Sequence, residues 1–282
     1  MYASLLSALL LGVLPLVGMA GQSSAVGYLA VAPPARTLEL HTPLSASGVM
    51  VMDMESGQPV YAVQATVQRP MASLTKLMTA LLIVENHKMD EVVTVSRNAA
   101  SAIGNRAYIS QGERFTVGDL LSALLIASGN DAATALAEFH SGSIAEFVVA
   151  MNERAQQLGL RDTSYADPIG LDHANQYSTP RDIALLTKFV LGKEEIAERM
   201  QMRFERIWSL EGSEVNLSHT NVLLHTSHAL IAGKTGTTDA ARQCLMSTFE
   251  ADGRQYIAVL FYSIARYEDM KAIMSAMSTT LL

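Results

Sequence analysis

The sequence contains a single cysteine, Cys244, among its 282 residues. An intramolecular disulfide is therefore impossible, and so is a metal site built on a Cys-x-x-Cys pair. Cys244 begins a short apolar run with Leu245 and Met246, which favours a buried, inert thiol. A nucleophilic cysteine is the alternative, and it would require an activating environment. Because 49% of the residues are hydrophobic, the chain can build a core without a disulfide or a metal ion.

Other missing patterns exclude further classes of protein. No run of Lys or Arg occurs and the net charge is −7, so nucleic acid is not an expected partner. The seven histidines form no His-Glu-x-x-His motif, which argues against a zinc hydrolase. We expect His219, His225 and His228 at loop or surface positions. Residues 233–235 are not part of a phosphate-binding loop, because that motif needs Gly at the position of His228.

The N-terminal segment also lacks something, because no Lys or Arg precedes Arg36. Residues 5–20 form an apolar run ending in Gly-Met-Ala, a small-x-small pattern typical of a signal peptide, which normally begins with basic residues. We expect a cleaved signal over residues 1–20. An uncleaved membrane anchor is the alternative, although the run is short for a membrane span. Either way the body of the protein is expected outside the cytoplasm, in the periplasm or the cell-wall space.

Residues 21–47 are rich in Gly, Ser, Ala and Pro and are predicted to form a linker, followed by a folded domain over residues 48–282. Within this domain, strand patterns flank a helical middle. A long helix is expected after Pro70, and another over residues 267–277. This order indicates one antiparallel sheet made from both ends of the domain, with a helical insert. The strand candidates are residues 48–53, 59–63, 91–96, 204–210, 230–234, 243–249 and 256–263.

Three short motifs occur in order along the chain: Ser-x-x-Lys at residues 73–76, Ser-Gly-Asn at residues 128–130 and Lys-Thr-Gly at residues 234–236. At average residue usage, the first pattern occurs by chance on the order of once in a chain of this length. Each motif alone is therefore weak to moderate. Their order, separation and predicted structural context together indicate a function more strongly than any one motif does.

Ser73 is predicted to lie in the first turn of the long helix, where free N–H groups favour negative charge near its oxygen. Lys76 is three residues further on, on the same helix face, and can serve as a base if it loses its proton. Burial and a nearby cation, for which Lys234 is a candidate, would favour the neutral amine. The alternative is ordinary helix chemistry, with Ser73 bonded to the backbone and Lys76 on the surface.

The Ser-Gly-Asn motif is predicted to lie between two helices. The Ser128 hydroxyl and the Asn130 amide can relay a proton and hold a substrate carbonyl. The alternative is loop chemistry in which Asn130 caps the next helix.

The Lys-Thr-Gly motif is predicted to end a strand. Gly236 would allow another backbone to approach closely. Lys234, with the hydroxyls of Thr235 and Thr237, would form a compact site for a carboxylate. The alternative is an edge-strand lysine followed by a turn.

In this order the motifs resemble those of the penicillin-interacting serine enzymes, which include D-alanyl-D-alanine peptidases and class A-like β-lactamases. The sequence around the motifs is similar to that of the low-molecular-mass D,D-carboxypeptidases, and this similarity covers most of residues 48–277. It implies the α/β fold of β-lactamases and D,D-peptidases, an antiparallel sheet flanked by helices plus a helical subdomain. The similar segments are residues 71–79, 128–133, 151–152, 158–159, 167–171 and 233–238, with Ala241 and Cys244 after them.

The resemblance implies a catalytic role for Ser73, Lys76 and Ser128. Ser73 would be the acylated nucleophile and Lys76 its general base, while Ser128 would pass the proton to the leaving nitrogen. The N–H groups of Ser73 and Thr237 would form the oxyanion hole. The reaction is acylation by a D-Ala-D-Ala peptide, loss of the last D-alanine and hydrolysis, and it needs no metal or organic cofactor.

The resemblance also implies a substrate-binding set of Asn130, Lys234, Thr235, Gly236 and Thr237. Asn130 would hold the substrate amide, and the residues of the Lys-Thr-Gly strand would bind the terminal carboxylate. The expected partners are peptidoglycan stem peptides, with β-lactam antibiotics as covalent inhibitors. Larger members of the family carry a C-terminal amphipathic membrane anchor, which we do not expect in this chain.

Several alternatives stay open. Compact relatives include D,D-endopeptidases that cut peptidoglycan cross-links, so carboxypeptidase and endopeptidase are not distinguished. A β-lactamase would need a Glu-held water for deacylation, but residues 158–176 contain Asp162, Asp167 and Asp172 and no Glu. A non-catalytic sensor that captures penicillin or D-Ala-D-Ala is a third reading.

Overall fold

The computed structural model describes residues 38–40 and 42–278, so the predicted signal at residues 1–20 lies outside the described residues. The described part of the predicted linker packs against the domain. Leu38 and Ala46 are buried, and Ser45 Oγ donates to Asp269 Oδ2 at 2.7 Å. Packed structure therefore begins before Gly48, because apolar side chains in the Pro- and Ser-rich segment find a place in the core.

The helices and strands alternate between sheet and helical regions along the chain. In chain order they are β1 (Gly48–Asp53), β2 (Pro59–Val63), α1 (Lys76–Asn86), β3 (Val92–Thr94), α2 (Arg97–Ala100), β4 (Arg114–Thr116), α3 (Val117–Leu125), α4 (Asn130–Ser141), α5 (Ile144–Gln157), α6 (Pro180–Leu191), α7 (Glu194–Gln201), β5 (Phe204–Trp208), β6 (Glu214–Ser218), α8 (Val222–Thr226), β7 (Leu230–Thr238), β8 (Arg242–Ala251), β9 (Arg254–Ser263) and α9 (Arg266–Ser278). A 3₁₀ turn (Ala72–Thr75) leads directly into α1.

The main sheet has five antiparallel strands in the order β2-β1-β9-β8-β7. The N-terminal strand β1 pairs with the last strand β9, with Val49 opposite Leu260 and Val51 opposite Ala258. The prediction of one antiparallel sheet made from both ends of the domain is confirmed.

The two faces of the sheet belong to two hydrophobic clusters, as the period of two along a strand requires. Val49 and Val51 join the cluster that includes Met270 and Ile273 of α9. Met50 and Met52 join the larger cluster built with α1 and the helices of the insert. Both faces of the sheet are therefore covered by helices, as the expected α/β fold requires, and that expectation is confirmed.

Helix ends follow the local sequence signals. Thr116 and Asp119 form a reciprocal capping box at the start of α3, Ser143 accepts the Glu146 N–H before α5, and Thr179 accepts the Asp182 N–H before α6. α6 ends at Leu191, and Gly192 is its C-cap.

Two predicted boundaries differ from the structure. The strand expected to end at Lys234 continues to Thr238, so the Lys-Thr-Gly motif lies inside β7 and not at its end. The strand signal at residues 204–210 forms β5, which pairs with β6 in a separate two-stranded sheet. No helix in the described part of the chain is long and apolar enough to cross a membrane.

Candidate active site

Ser73 lies in the 3₁₀ turn before α1, and Lys76 is the first residue of that helix. The lysine is fully buried, and its Nζ lies 3.0 Å from Ser73 Oγ, 2.6 Å from Asn130 Oδ1 and 2.7 Å from the Ile169 carbonyl oxygen. Burial lowers the pKa of Lys76 to about 7, against the Asp167 and Asp131 carboxylates, which raise it. A hydroxyl and an amine that can be neutral near pH 7 therefore stand side by side.

The Ser-Gly-Asn loop joins α3 to α4 and brings two side chains to the same place. Ser128 adopts a positive φ of 58°, and its Oγ accepts a hydrogen bond of 2.7 Å from Lys234 Nζ. The N-cap of α4 is Gly129, without a side-chain cap, so the alternative in which Asn130 caps the helix is wrong. The Asn130 side chain instead accepts from Lys76 and donates to the Ile103 carbonyl at 2.6 Å.

The third motif lies on β7, across the cleft from Ser73. Lys234 is fully buried, and its Nζ donates to Ser128 Oγ and, at 3.0 Å, to the Thr235 carbonyl. Burial lowers the pKa of Lys234 well below its ordinary value, and the positive charges of Lys76 and Arg266 lower it further. The alternative of a surface position is therefore wrong for Lys76. Lys234 does lie on an edge strand, as its alternative had it, but it is buried and no turn follows it directly.

Gly236 brings β7 against the turn that carries the nucleophile. A Cβ placed on Gly236 would lie 2.9 Å from both the Ala72 Cβ and the Ser73 nitrogen. Only glycine leaves room for this approach, as predicted for close backbone contact. The N–H of Ser73 is thus held beside the strand that continues into Thr237.

The loop before α6 supplies a group that the sequence motifs did not reveal. The Ile169 carbonyl oxygen accepts from Lys76 Nζ and lies 3.5 Å from Ser73 Oγ. Asp167 holds this part of the loop in place, because its carboxylate accepts the N–H groups of Ile169, Gly170 and Leu171. A backbone carbonyl has no side-chain signature, so a motif search cannot find it.

Arg266, at the start of α9, is a second contributor that sequence reasoning missed. Its Nη1 donates to Thr237 Oγ1 at 2.8 Å and to the Gly236 carbonyl at 3.0 Å. The guanidinium adds a fixed positive charge beside the Lys-Thr-Gly strand. Its distance from the motifs along the chain left no local pattern to find it.

The structure brings the predicted residues to one cleft. Lys76 Nζ joins Ser73 and Asn130 by hydrogen bonds of 3.0 and 2.6 Å, and Lys234 Nζ joins Ser128 by one of 2.7 Å. Ser128 and Asn130 are two residues apart in the Ser-Gly-Asn motif, which brings these two groups of side chains together. Thr235, Gly236 and Thr237 follow Lys234 along β7.

The cysteine and the histidines take no part in this cleft chemistry. Cys244 is buried, and burial raises its pKa to about 12, which excludes a thiolate at neutral pH. His219 lies in a loop, as expected, but it is buried; burial, with Lys234 and His225, lowers its pKa to about 3. Among the described residues, no group of three His, Cys, Asp or Glu side chains could hold a metal ion.

Comparison with known proteins gives the family that the chain resembles. The family model described as D-alanyl-D-alanine carboxypeptidase matches residues 35–263. The chain is 34% identical over 262 residues to the D-alanyl-D-alanine carboxypeptidase DacF of Bacillus subtilis, covering 91% of this chain and 65% of that protein. It is 30% identical over 236 residues to a D-alanyl-D-alanine endopeptidase of Pseudomonas aeruginosa, covering 79% of this chain and 73% of that protein.

The fold is similar to that of a solved D,D-peptidase structure. The Streptomyces K15 DD-transpeptidase superposes with a TM-score of 0.78 at 27% identity, covering 83% of this chain and 97% of the other. The chain spans slightly less than two thirds of the length of the Bacillus relative. The extent of the family match, together with the fold, shows that this chain belongs to the D-alanyl-D-alanine carboxypeptidase family.

Proposed function

We propose that this chain is a serine D,D-carboxypeptidase that removes the terminal D-alanine of peptidoglycan stem peptides through an acyl-enzyme on Ser73. One observation carries the proposal: a buried lysine amine, Lys76 Nζ, lies 3.0 Å from the Ser73 hydroxyl. A serine hydroxyl is a weak nucleophile, and an adjacent base is the usual means of activating it.

The surroundings of Lys76 suit a neutral amine that acts as a base. A neutral amine has two N–H donors and one lone pair. Asn130 Oδ1 and the Ile169 carbonyl take the two donors at 2.6 and 2.7 Å. The lone pair is then left for the Ser73 O–H. Ser73 Oγ loses its proton to Lys76 as it forms a bond to the carbonyl carbon of the penultimate D-alanine.

Collapse of the tetrahedral intermediate needs a proton on the leaving amine. Ser128 is the donor in this proposal, because its hydroxyl lies in the cleft and is held at 2.7 Å by Lys234. The C–N bond breaks as Ser128 gives its proton to the leaving nitrogen, and the proton that Lys76 took from Ser73 replaces it on Ser128. The released product is free D-alanine, and the penultimate residue stays as an ester on Ser73.

The terminal carboxylate of the substrate is assigned to the groups gathered along β7. Lys234, the Thr235 and Thr237 hydroxyls and the Arg266 guanidinium form a cationic, donor-rich site, and Arg266 lies 2.8 Å from Thr237 Oγ1. In the described part of the chain, β7 pairs only with β8, so its other edge is open for an extended peptide. Asn130 would hold the substrate amide from the opposite wall.

The oxyanion hole is assigned to the N–H groups of Ser73 and Thr237, which Gly236 brings together by its close packing on the Ser73 turn. Water then hydrolyses the ester. The loop presents the Ile169 carbonyl to Ser73, where a β-lactamase would need a carboxylate to activate water. We therefore expect slow hydrolysis of β-lactam esters and long-lived inhibition by these antibiotics.

The proposed substrate lies outside the cytoplasm, and we assign the protein to the periplasm or the cell-wall space. The apolar run ending in Gly18-Met19-Ala20 supports export with removal of residues 1–20. N-terminal sequencing of the protein recovered from that compartment tests this assignment. A new N-terminus at Gly21 supports it, and an intact N-terminus in the cytoplasmic fraction opposes it.

The activity is tested with a tripeptide ending in D-Ala-D-Ala, a matched peptide ending in D-Ala-L-Ala, and the Ser73→Ala variant. We expect release of the terminal alanine only from the first peptide, with a loss of at least about 1000-fold in Ser73→Ala. Equal release by the variant, or none by folded wild type, would oppose the proposal. A cross-linked muropeptide dimer tests the alternative that the chain is an endopeptidase. Faster cleavage of the dimer than of the tripeptide would favour that alternative.

A further inference from the structure

Thr220 belongs to none of the three motifs, yet it contacts the structural elements that carry the second and third motifs and Arg266. Its N–H donates to the Ile126 carbonyl at 3.1 Å, two residues before Ser128. Its Oγ1 accepts from Thr235 Oγ1 at 2.6 Å. Its carbonyl accepts from Tyr267 Oη at 3.1 Å, and that same hydroxyl accepts from Arg266 Nη2 at 3.3 Å. Thr220 is therefore fixed relative to the Ser-Gly-Asn loop, β7 and Arg266.

The hydrogen-bond donors of the Thr220 and Thr235 hydroxyls can be counted individually. A hydroxyl has one hydrogen, and Thr235 gives its own to Thr220 Oγ1. In this arrangement Thr235 has no hydrogen left for an anion. Among the described residues, the Thr220 hydroxyl makes no hydrogen bond except the one to Thr235, so its hydrogen is free to turn toward Thr235 Oγ1. Thr235 is the donor of the pair in the substrate-free structure, and the direction of the bond reverses when the Thr220 hydroxyl turns its hydrogen toward Thr235 Oγ1.

We propose that Thr220 is a positioning residue for the substrate's terminal carboxylate and acts through Thr235, an inference that rests on the proposed peptidase function. When the carboxylate arrives, Thr235 turns its hydrogen to the anion and Thr220 donates to the Thr235 oxygen in turn. The bound state thereby keeps every buried hydroxyl group partnered. Thr235 is 5% exposed, so its oxygen depends on a protein donor once the substrate covers it.

The same count of hydrogen bonds gives the direction in which substrate binding changes when Thr220 is substituted. In a Thr220→Val variant, the free site is open to water, and Thr235 replaces the lost acceptor with a water molecule. In the complex, the carboxylate takes the Thr235 hydrogen, and the Thr235 oxygen faces a methyl group. The variant therefore loses a hydrogen bond only in the bound state, which weakens binding and leaves the chemical step intact.

The test compares Thr220→Val, which keeps the shape and the backbone bonds, with Thr220→Ser, which keeps the hydroxyl. We expect Thr220→Val to raise KM for the D-Ala-D-Ala peptide about five- to tenfold, with kcat within about twofold of wild type. Thr220→Ser restores KM to within about twofold. In a Thr235→Val background, Thr220→Val has no further effect, because the group through which it acts is gone.

A second readout separates this role from a merely structural one. Acylation by benzylpenicillin, which carries a carboxylate, slows in Thr220→Val, whereas acylation by its methyl ester is unchanged. An unchanged or lower KM, a loss confined to kcat, equal defects in the Val and Ser variants, or equal slowing of both penicillins would overturn the proposal.

The penicillin readout also keeps this inference apart from the peptidase assignment. If wild type is acylated but releases no D-alanine, the peptidase function fails, and the penicillin pair still decides the role of Thr220. If folded wild type reacts with neither penicillin nor peptide, both proposals fall.

Discussion

Gly170 lies so close to Ala72 that a Cβ placed on it would be 2.1 Å from the Ala72 carbonyl oxygen. The contact presses the loop that carries Ile169 against the turn that carries Ser73. The φ angle of Gly170 is +96°, in a region that side chains with a Cβ rarely adopt. The distance between the Ile169 carbonyl oxygen and Ser73 Oγ therefore depends on the absence of a Cβ at Gly170.

We expect Gly170→Ala to lower the free energy of unfolding by about 3 kcal/mol or more and to slow penicillin acylation by at least about tenfold. Gly112→Ala is the matched control, because Gly112 has a φ of +86° and no atom within 4 Å of its Cβ position. This control should lose about 1–2 kcal/mol through backbone strain alone and keep its acylation rate. Urea unfolding and acylation kinetics measure both, and equal losses in the two variants would contradict the close contact.

The charge of Asp167 raises the pKa of Lys76, against the larger lowering effect of burial. Removing that charge makes the ammonium form less favourable, so the pKa of Lys76 must fall. We expect the acylation rate of wild type to rise with pH through an apparent pKa near 7, and that of Asp167→Asn to rise through a lower one.

Asp172→Asn, on the same loop, is the control for the pH profile. Asp172 accepts from Thr238 Oγ1 and is not among the charges that shift Lys76. Its apparent pKa should equal that of wild type even if its rate falls. A common profile in all three proteins would mean that Lys76 is not the group whose ionisation limits acylation.

Buried His219 should contribute to acid sensitivity. Its folded pKa of about 3 lies below the ordinary value of 6.5, so the unfolded chain binds a proton that the folded protein refuses. The contribution of neutral His219 to the free energy of unfolding is fully present above about pH 6.5. It is lost as the pH falls toward 3, at up to about 1.4 kcal/mol per pH unit.

The Asn221 N–H donates to His219 Nδ1 at 2.9 Å. His219→Asn keeps an acceptor for this N–H and removes the titrating group. Urea unfolding between pH 4 and 7 should show a shallower loss for this variant than for wild type. His228 is exposed, so His228→Asn should leave the slope unchanged. The same slope in all three proteins would exclude a neutral, buried His219.

The Cys244 thiol should be inert in the folded protein, because it is buried and its pKa is raised to about 12. We expect no reaction with iodoacetamide under native conditions at pH 8, and rapid reaction of the thiol after unfolding in guanidinium chloride. Mass spectrometry gives the modified fraction. Rapid native modification would show that the β8 region opens readily.

The sequence was a good guide wherever a local pattern fixes a local structure. Thr116 caps α3 and Ser143 caps α5 through side-chain hydrogen bonds, and Asp252 and Gly253, both with positive φ, form the turn between β8 and β9. The three motifs come together because the start of α1, the connection from α3 to α4, and β7 place them in one cleft. Their residue types carry the chemistry, so they could be recognised before the fold was known.

The missed contributors share a physical reason. The Ile169 group at the site is a backbone carbonyl, and Arg266 and Thr220 act through contacts between segments far apart in sequence. The strand predicted over residues 230–234 ended too early, because pairing with β8 keeps Thr235 to Thr238 extended. Tertiary contacts decided these features, and no short window of sequence contains them.

Intact-mass analysis after exposure to benzylpenicillin shows whether Ser73 is the residue acylated in this cleft. We expect wild type to gain the mass of one penicillin molecule, with the adduct located on Ser73 by peptide mapping and persisting long after free drug is removed. Ser73→Ala, folded as judged by its unfolding transition, should gain none. The same adduct on the variant, or an adduct on another residue of wild type, would contradict the assignment of Ser73 as the nucleophile.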